Sequence, residues 1–166
     1  MDIALALSPD GTTTDLAIAN GDLALDGTLM TPILIMLQSD MLAGPDDVIP
    51  DGSTNRRGWW GDAYLPPLPD GTPYFLGSKL WLYTRCTATN ENALLIQEAA
   101  QNALNPLIAY GIAEDVAVST QWIDEQSLAL NIAVAQSTQN GNALTTYSLI
   151  WKRTLGTIVP ATGFPQ

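Results

Sequence analysis

Three runs in the second half of the chain constrain the fold more than any other feature. Val116, Val118, Thr120 and Trp122 alternate with small or polar neighbours, as do Leu128, Leu130, Ile132 and Val134, and then Tyr147, Leu149 and Trp151. A period of two places every second side chain on one face of a sheet, so each run reads as a half-buried strand. Across the loop Ile123–Ser127 the pattern predicts Val118 opposite Ile132 and Val116 opposite Val134. Across a second turn at Asn140-Gly141 it predicts Val134 opposite Tyr147, Ile132 opposite Leu149 and Leu130 opposite Trp151. One apolar face then runs over a three-stranded antiparallel meander.

The N-terminal stretch also reads as strand. Ile3, Leu5 and Leu7 alternate, and Asp10-Gly11 marks a turn. Asp15–Ala19 and Asp22–Leu25 flank Asn20-Gly21, a pair whose tolerance of positive φ makes it a strong hairpin signal. That hairpin predicts Ile18 opposite Leu23 and Leu16 opposite Leu25. Thr28–Leu42 then has the content of a helix, with Thr28 as N-cap and Pro32 near the first turn. Ile33 to Leu37 leave it almost no polar stripe, so it is buried on most sides or packed against another subunit; a buried strand is the competing reading.

From 43 to 77 the composition changes to Pro, Gly and Asp. Pro45, Pro50, Pro66, Pro67, Pro69 and Pro73 oppose regular structure. A segment of this length without a periodic element is often functional or ordered by a partner. Ser78–Arg85 resumes a short apolar element, helix or arm. A second helix starts at Thr89 or Asn90 with Glu91 in its first turn, follows Leu95, Ala99, Ala103, Leu104, Leu107 and Ile108, kinks or restarts at Pro106, and stops at Gly111. The organisation expected is one α+β domain over 1–153, two or three helices on antiparallel sheet, with 154–166 as an extended tail.

The 166 residues hold 6 Lys plus Arg against 17 Asp plus Glu and no His, for a net charge of −11. That balance argues against binding a phosphate backbone. Without His there is no Ser-His-Asp or Cys-His nucleophile, and almost every zinc site is excluded. Cys86 is the only cysteine and reads as a small buried apolar side chain. Nine Asp and no basic residue precede Arg56, so neither a secretory nor a mitochondrial leader is expected, and the apolar run from Pro32 to Leu37 is too short to cross a bilayer. No cofactor is expected, and Gly58 and Gly61 precede no phosphate-loop Lys.

Asp46, Asp47, Asp51, Asp62 and Asp70 cluster in the central segment. Two carboxylates could run glycoside hydrolysis, as in a peptidoglycan-degrading hydrolase, but Asp beside Gly or Pro is ordinary turn chemistry. Calcium binding lacks the ligand spacing it needs. The distinctive string is Arg56-Arg57-Gly58-Trp59-Trp60-Gly61-Asp62. In one reading a Trp plugs the core while an Arg pairs with Asp62. In the other, Trp and Arg form a protein-docking anchor, being the residues most enriched at binding hot spots. Stacking of Trp59 and Trp60 on a sugar is a third possibility. The few basic residues, Arg56, Arg57, Lys79, Arg85, Lys152 and Arg153, point to defined ion pairs.

The segment Leu42–Asp62 with its RRGWWGD string, followed by Gly77-Ser78-Lys79-Leu80-Trp81-Leu82-Tyr83-Thr84-Arg85, resembles the Mu-like phage tail baseplate protein family over most of residues 15–153. The resemblance implies a small wedge subunit of a contractile-tail baseplate, similar to the sheath-initiator subunit of other contractile machines. It implies several copies around the tail hub in the virion, assembled in the host cytoplasm and bound to larger wedge proteins and to sheath or tube proteins, with no nucleic acid, no membrane insertion and no catalysis. The residues expected at protein interfaces are Arg56, Arg57, Trp59, Trp60, Asp62, Lys79, Trp81 and Arg85.

Overall fold

The computed structural model describes residues 2–7, 14–138 and 141–161. The N-terminal part is three short ladders: β1 (Asp2–Ile3) pairs with β6 (Leu25–Asp26), β2 (Leu5–Leu7) with β3 (Thr14–Leu16), and β4 (Ile18–Ala19) with β5 (Asp22–Leu23). They meet at three alanines joined in a ring of backbone hydrogen bonds, each 2.9 Å: Ala4 N–H donates to Ala24, Ala24 to Ala17, and Ala17 to Ala4. Each passing segment therefore changes partner at its alanine, and methyl side chains keep bulk out of the point where three backbones converge. Ile18 faces Leu23 across Asn20 and Gly21, both at positive φ, as the hairpin signal predicts. Leu16 does not face Leu25: Leu16 opposes Leu5, and Leu25 opposes Ile3. The turn expected at Asp10-Gly11 lies outside the described residues.

The first helix, α1 (Met30–Gln38), is shorter than the predicted Thr28–Leu42, and Leu29 rather than Thr28 is its N-cap. Capping is shared: the Thr28 hydroxyl accepts from Met30 N–H at 3.1 Å and the Asp26 carboxylate from Thr31 N–H at 3.0 Å. Ile33, Leu34, Met36 and Leu37 are buried while Ile35 is exposed. The helix stops early because the next residues turn alongside Ser78: Ser78 N–H donates to Ser39 O at 2.9 Å, and Met41 N–H to Ser78 O at 3.0 Å. These bonds close the base of the Pro-rich segment, so 43–77 is a loop whose ends are pinned together.

A short 3-10 turn over Leu80–Tyr83 leads to α2 (Asn90–Ala109), capped by the Thr89 hydroxyl. Pro106 neither breaks nor restarts it; the helix runs on to Ala109 and ends in a Schellman arrangement, with Gly111 N–H on Ile108 O and Ile112 N–H on Leu107 O, both 2.9 Å. Its buried face is Ala93, Ile96, Ala100, Ala103, Leu104 and Leu107, whereas Leu95 and Ile108, expected inside, are exposed. The small-residue run Ala99-Ala100 hid which side of the helix faces inward.

Four antiparallel strands follow: β7 (Asp115–Trp122), β8 (Ser127–Thr138), β9 (Gly141–Lys152) and β10 (Thr157–Pro160), in spatial order β10-β9-β8-β7. The β7/β8 register is as predicted, Val116 with Val134 and Val118 with Ile132. The β8/β9 register differs by two residues: Ile132 pairs with Tyr147, Leu130 with Leu149 and Leu128 with Trp151. Thr138 pairs with Gly141, so Gly141 belongs to the strand rather than to the turn. A slip of two keeps every side chain on its expected face, which is why the apolar pattern cannot detect it. The meander also has a fourth strand where a tail was expected: Ile158 of β10 is 1% exposed and opposes Trp151. Residues 162–166 lie outside the described residues.

The inward sheet face, α1 and α2 share one core that includes Leu128, Leu130, Ile132, Val134, Leu149 and Trp151. At the β7 edge the Gln101 side chain stands in for a missing strand, donating to Val116 O at 2.8 Å and accepting from Val118 N–H at 3.0 Å. The fold is α+β, with two helices packed on antiparallel sheet. Among the described residues no helix is long and apolar enough to cross a membrane.

Candidate functional site

The pinned loop is organised by side chains bonding to backbone, since its prolines preclude a ladder. Arg56 is half-buried, and its guanidinium donates to the carbonyls of Ala43, Gly44 and Pro45, while its own carbonyl accepts from Ala43 N–H. It therefore fastens one limb of the loop to the other through backbone carbonyls. Arg57, at φ 53°, turns the chain the opposite way. Its guanidinium stacks 4.4 Å above the Trp81 ring and meets Asp40 at 2.6 Å. Trp81 lies beneath, 4% exposed, with its indole N–H on Met41 O at 2.9 Å.

Lys79 bridges to Asp47 at 2.6 Å, and the same Asp47 oxygen accepts Gly44 N–H at 2.7 Å. Burial would raise the Asp47 pKa, but hydrogen bonding from Lys79 and Gly44 outweighs it and holds the carboxyl below its ordinary value. Among the described residues Asp62 is not paired with an arginine. It accepts Leu76 N–H at 3.0 Å and Trp59 N–H at 3.3 Å, tying the aromatic string to the returning limb. Asp51 and Asp70 accept from Ser53 and Thr72 in tight turns, and both have lowered pKa values, caused first by those backbone hydrogen bonds. Asp47, Asp51 and Asp70 are held low, the opposite of what a general acid near neutral pH would need.

On this base a 3-10 turn, Trp60–Tyr64, projects outward. The Trp59 ring lies over Gly61 so closely that a Cβ there would fall 2.3 Å from the ring's edge. Trp59 is 38% exposed, and Trp60 and Tyr64 are 81% and 82% exposed. The two indoles are 5.5 Å apart at 47°. On the returning limb Phe75 is exposed, and Tyr74 makes an edge contact with Tyr110 at 6.2 Å. Thus the adjacent tryptophans divide their work: one folds back on the loop, and the other stands in solvent.

The structure gathers the expected residues into one region but gives them different tasks. Arg56, Arg57, Asp62, Lys79 and Trp81 hold the loop, and Trp60 is the exposed end. Arg85 is exposed and lines a polar groove of about 570 Å³ with Asp40, Asp51 and Arg57. Lys152 and Arg153 are not ion-paired among the described residues: Lys152 donates to the Ser127 hydroxyl at 2.9 Å and Arg153 to the Cys86 carbonyl. Sequence reasoning misses Tyr64 and Phe75. The signal for Tyr64 was its place in the string's continuation, Asp62-Ala63-Tyr64, where one helical turn carries it outward with Trp60.

The family described as phage protein GP46 matches residues 29–142. Baseplate protein gp46 of Escherichia phage Mu is 36% identical over 132 residues, covering 73% of this chain and 86% of that protein. The Mu-like prophage FluMu protein gp46 of Haemophilus influenzae is 32% identical over 130 residues, covering 78% and 84%. The matched span holds the whole pinned loop, both helices and the strands β7 and β8.

Proposed function

The chain belongs to the phage protein GP46 family, and on that premise we propose that it is a structural subunit of a phage tail baseplate. In this reading it is a small wedge component, present in several copies in the virion and put together in the host cytoplasm. It bridges larger wedge proteins to the tail hub and to the first sheath ring of a contractile tail, and it makes or breaks no bond. The observation that carries the reading is the aromatic projection: Trp60 and Tyr64 stand more than four-fifths exposed on a loop fastened by Arg56, Arg57 and Asp62. A large aromatic surface held rigid before binding loses little conformational freedom on docking, which is how a hot spot works. The loop carboxylates support the non-catalytic reading, since each of Asp47, Asp51, Asp62 and Asp70 is engaged in holding backbone.

Contact with the sheath ring is supported by the sheet edge. Among the described residues β10 covers β9 from Leu149 to Lys152, and Ala161 N–H adds one bond to Ser148 O at 2.8 Å. Since backbone groups alternate sides along a strand, the next outward-facing positions are Thr146, Leu144 and Asn142, where an incoming strand could pair. The test of the wedge reading is Trp60→Ala in an assembling phage. The expected variant folds with an unchanged thermal midpoint and is missing from purified particles. Normal incorporation and normal titre would overturn the reading, as would clearing of peptidoglycan by the isolated protein.

A further inference from the structure

We propose that the N-terminal three-ladder lobe is a second docking surface, and that it takes a polypeptide partner presenting an apolar strip bordered by Lys or Arg. The lobe is separate from the aromatic loop, and the inference does not rest on what that loop binds. Its described residues, 2–7 and 14–26, contribute nothing to the buried core, which begins with Ile33. Instead each ladder carries a cross-strand apolar pair, Ile3 with Leu25, Leu5 with Leu16 and Ile18 with Leu23. Ile18 is 75% exposed, Leu25 63% and Leu16 48%. Ladders of two or three residues do not hold themselves in water, and large apolar pairs left on the outside of one mark a surface meant to be covered.

The charges say what covers it. Asp2, Asp15, Asp22 and Asp26 are the ionisable groups of these residues, and no Lys or Arg lies among them. Asp2 stands directly opposite Asp26 in the β1/β6 register, an arrangement that like-charge repulsion opposes until a cation is supplied. Asp26 is committed to capping α1, but among the described residues the Asp2, Asp15 and Asp22 carboxylates accept only the N–H of the next residue, at 2.7 to 2.8 Å. The same charge argues against a second copy of this chain as occupant, since two such lobes would repel.

The test uses the full chain and two synthetic heptapeptides, one alternating Leu with Lys and the other Leu with Glu, followed by NMR. The Leu–Lys peptide should shift the amides of Ile18, Leu23 and Leu25, and the Leu–Glu peptide should not. Affinity should fall at least tenfold in the Ile18→Ser/Leu25→Ser double variant. It should fall at least fivefold in Asp15→Asn/Asp22→Asn, which leaves the apolar pairs intact and so covers a failure of the first variant to keep the lobe formed. Absence of binding, shifts confined to other elements, equal binding of the Leu–Glu peptide, unchanged affinity in both variants, or a concentration-dependent dimer through these residues would each overturn the proposal.

Discussion

The Arg57 guanidinium carbon lies 4.4 Å from the centroid of the Trp81 ring, while its terminal nitrogen is 2.6 Å from Asp40. Arg57 is thus the staple between the loop and the core residue beneath it. The ion pair is about two-fifths exposed on both sides, so it contributes roughly 0.2–1 kcal/mol, and the stack adds about 0.5–1 kcal/mol. Arg57→Ala should therefore lower the thermal midpoint by roughly 1–8 °C. Arg57→Lys should recover part of that, since it keeps the charge but loses the planar stack. Thermal unfolding followed by near-ultraviolet circular dichroism checks both, and an unchanged midpoint in Arg57→Ala would remove the staple from the account.

Trp59 and Trp60 should separate cleanly under mutation. Trp60 is 81% exposed, so Trp60→Ala should change stability by less than about 0.5 kcal/mol. Gly61→Ala should instead act on Trp59, because a Cβ at 61 would fall 2.3 Å from its ring. The ring must swing away, breaking the 5.5 Å approach of the two indoles. The coupled tryptophan dichroism should weaken in Gly61→Ala while the global thermal midpoint changes little. A wild-type spectrum in that variant would show that the ring does not rest on Gly61.

Gln101 closes the outer edge of β7 by bonding both Val116 O and Val118 N–H. Gln101→Ala releases those two backbone groups, and each intramolecular bond contributes about 0.5–1.5 kcal/mol. The expected loss is about 1–3 kcal/mol, with faster hydrogen exchange at Val118 than in wild type and unchanged exchange at Ala117 and Ser119, whose N–H groups face β8. Equal protection of Val118 in wild type and variant would mean that the side chain is dispensable there.

The core strands were legible because period-two alternation dictates faces, and β7/β8 came out in register because both runs and their loop are unambiguous. The β8/β9 pairing was not fixed by the same pattern, since moving the register by two residues, from Ile132 opposite Leu149 to Ile132 opposite Tyr147, leaves the faces alike. The split at Ala4, Ala17 and Ala24 was invisible because it depends on three segments meeting, a relation that no pairwise hairpin signal contains. In the loop, the RRGWWGD string singled out the segment that carries the exposed Trp60. Its division of labour was not readable, because Asp62 accepts from Leu76 and Trp81 from beneath supports Arg57, both contacts across a chain excursion.

Stability should be flat through neutral pH, because the chain has no His. It should fall in acid through Asp26 and Asp47. For Asp26 burial raises the pKa, but hydrogen bonds from Thr28 and Thr31 prevail and hold it below the usual 3.8; Asp47 is held down by Lys79 and Gly44 against the same burial effect. A carboxyl whose folded pKa is depressed adds stability above its unfolded value and loses it as pH drops through the folded value. The midpoint should therefore hold from pH 8 to about 5 and decline below about pH 4. Asp26→Asn with Asp47→Asn should start lower and decline less steeply, and a parallel decline would assign the acid sensitivity to other carboxyls.

The stretch of β9 that no described residue pairs on its outer side gives the sharpest separation between folding and assembly. Ser148 O faces outward, since Ala161 N–H bonds to it, so the Thr146 N–H faces outward too and is not used in the β8 ladder. Proline at such a position removes a donor that only a partner strand would need, and natural edge strands tolerate it. Pro160 already occupies the equivalent kind of position on β10, opposite Leu149. Thr146→Pro should leave the isolated protein folded, with β8 amides as protected as before, and should abolish incorporation into particles. Leu149→Pro, whose N–H faces β8, should unfold the sheet. If Thr146→Pro assembled normally, this edge would not be where a neighbouring strand docks, and the strand pairing proposed for it would fall.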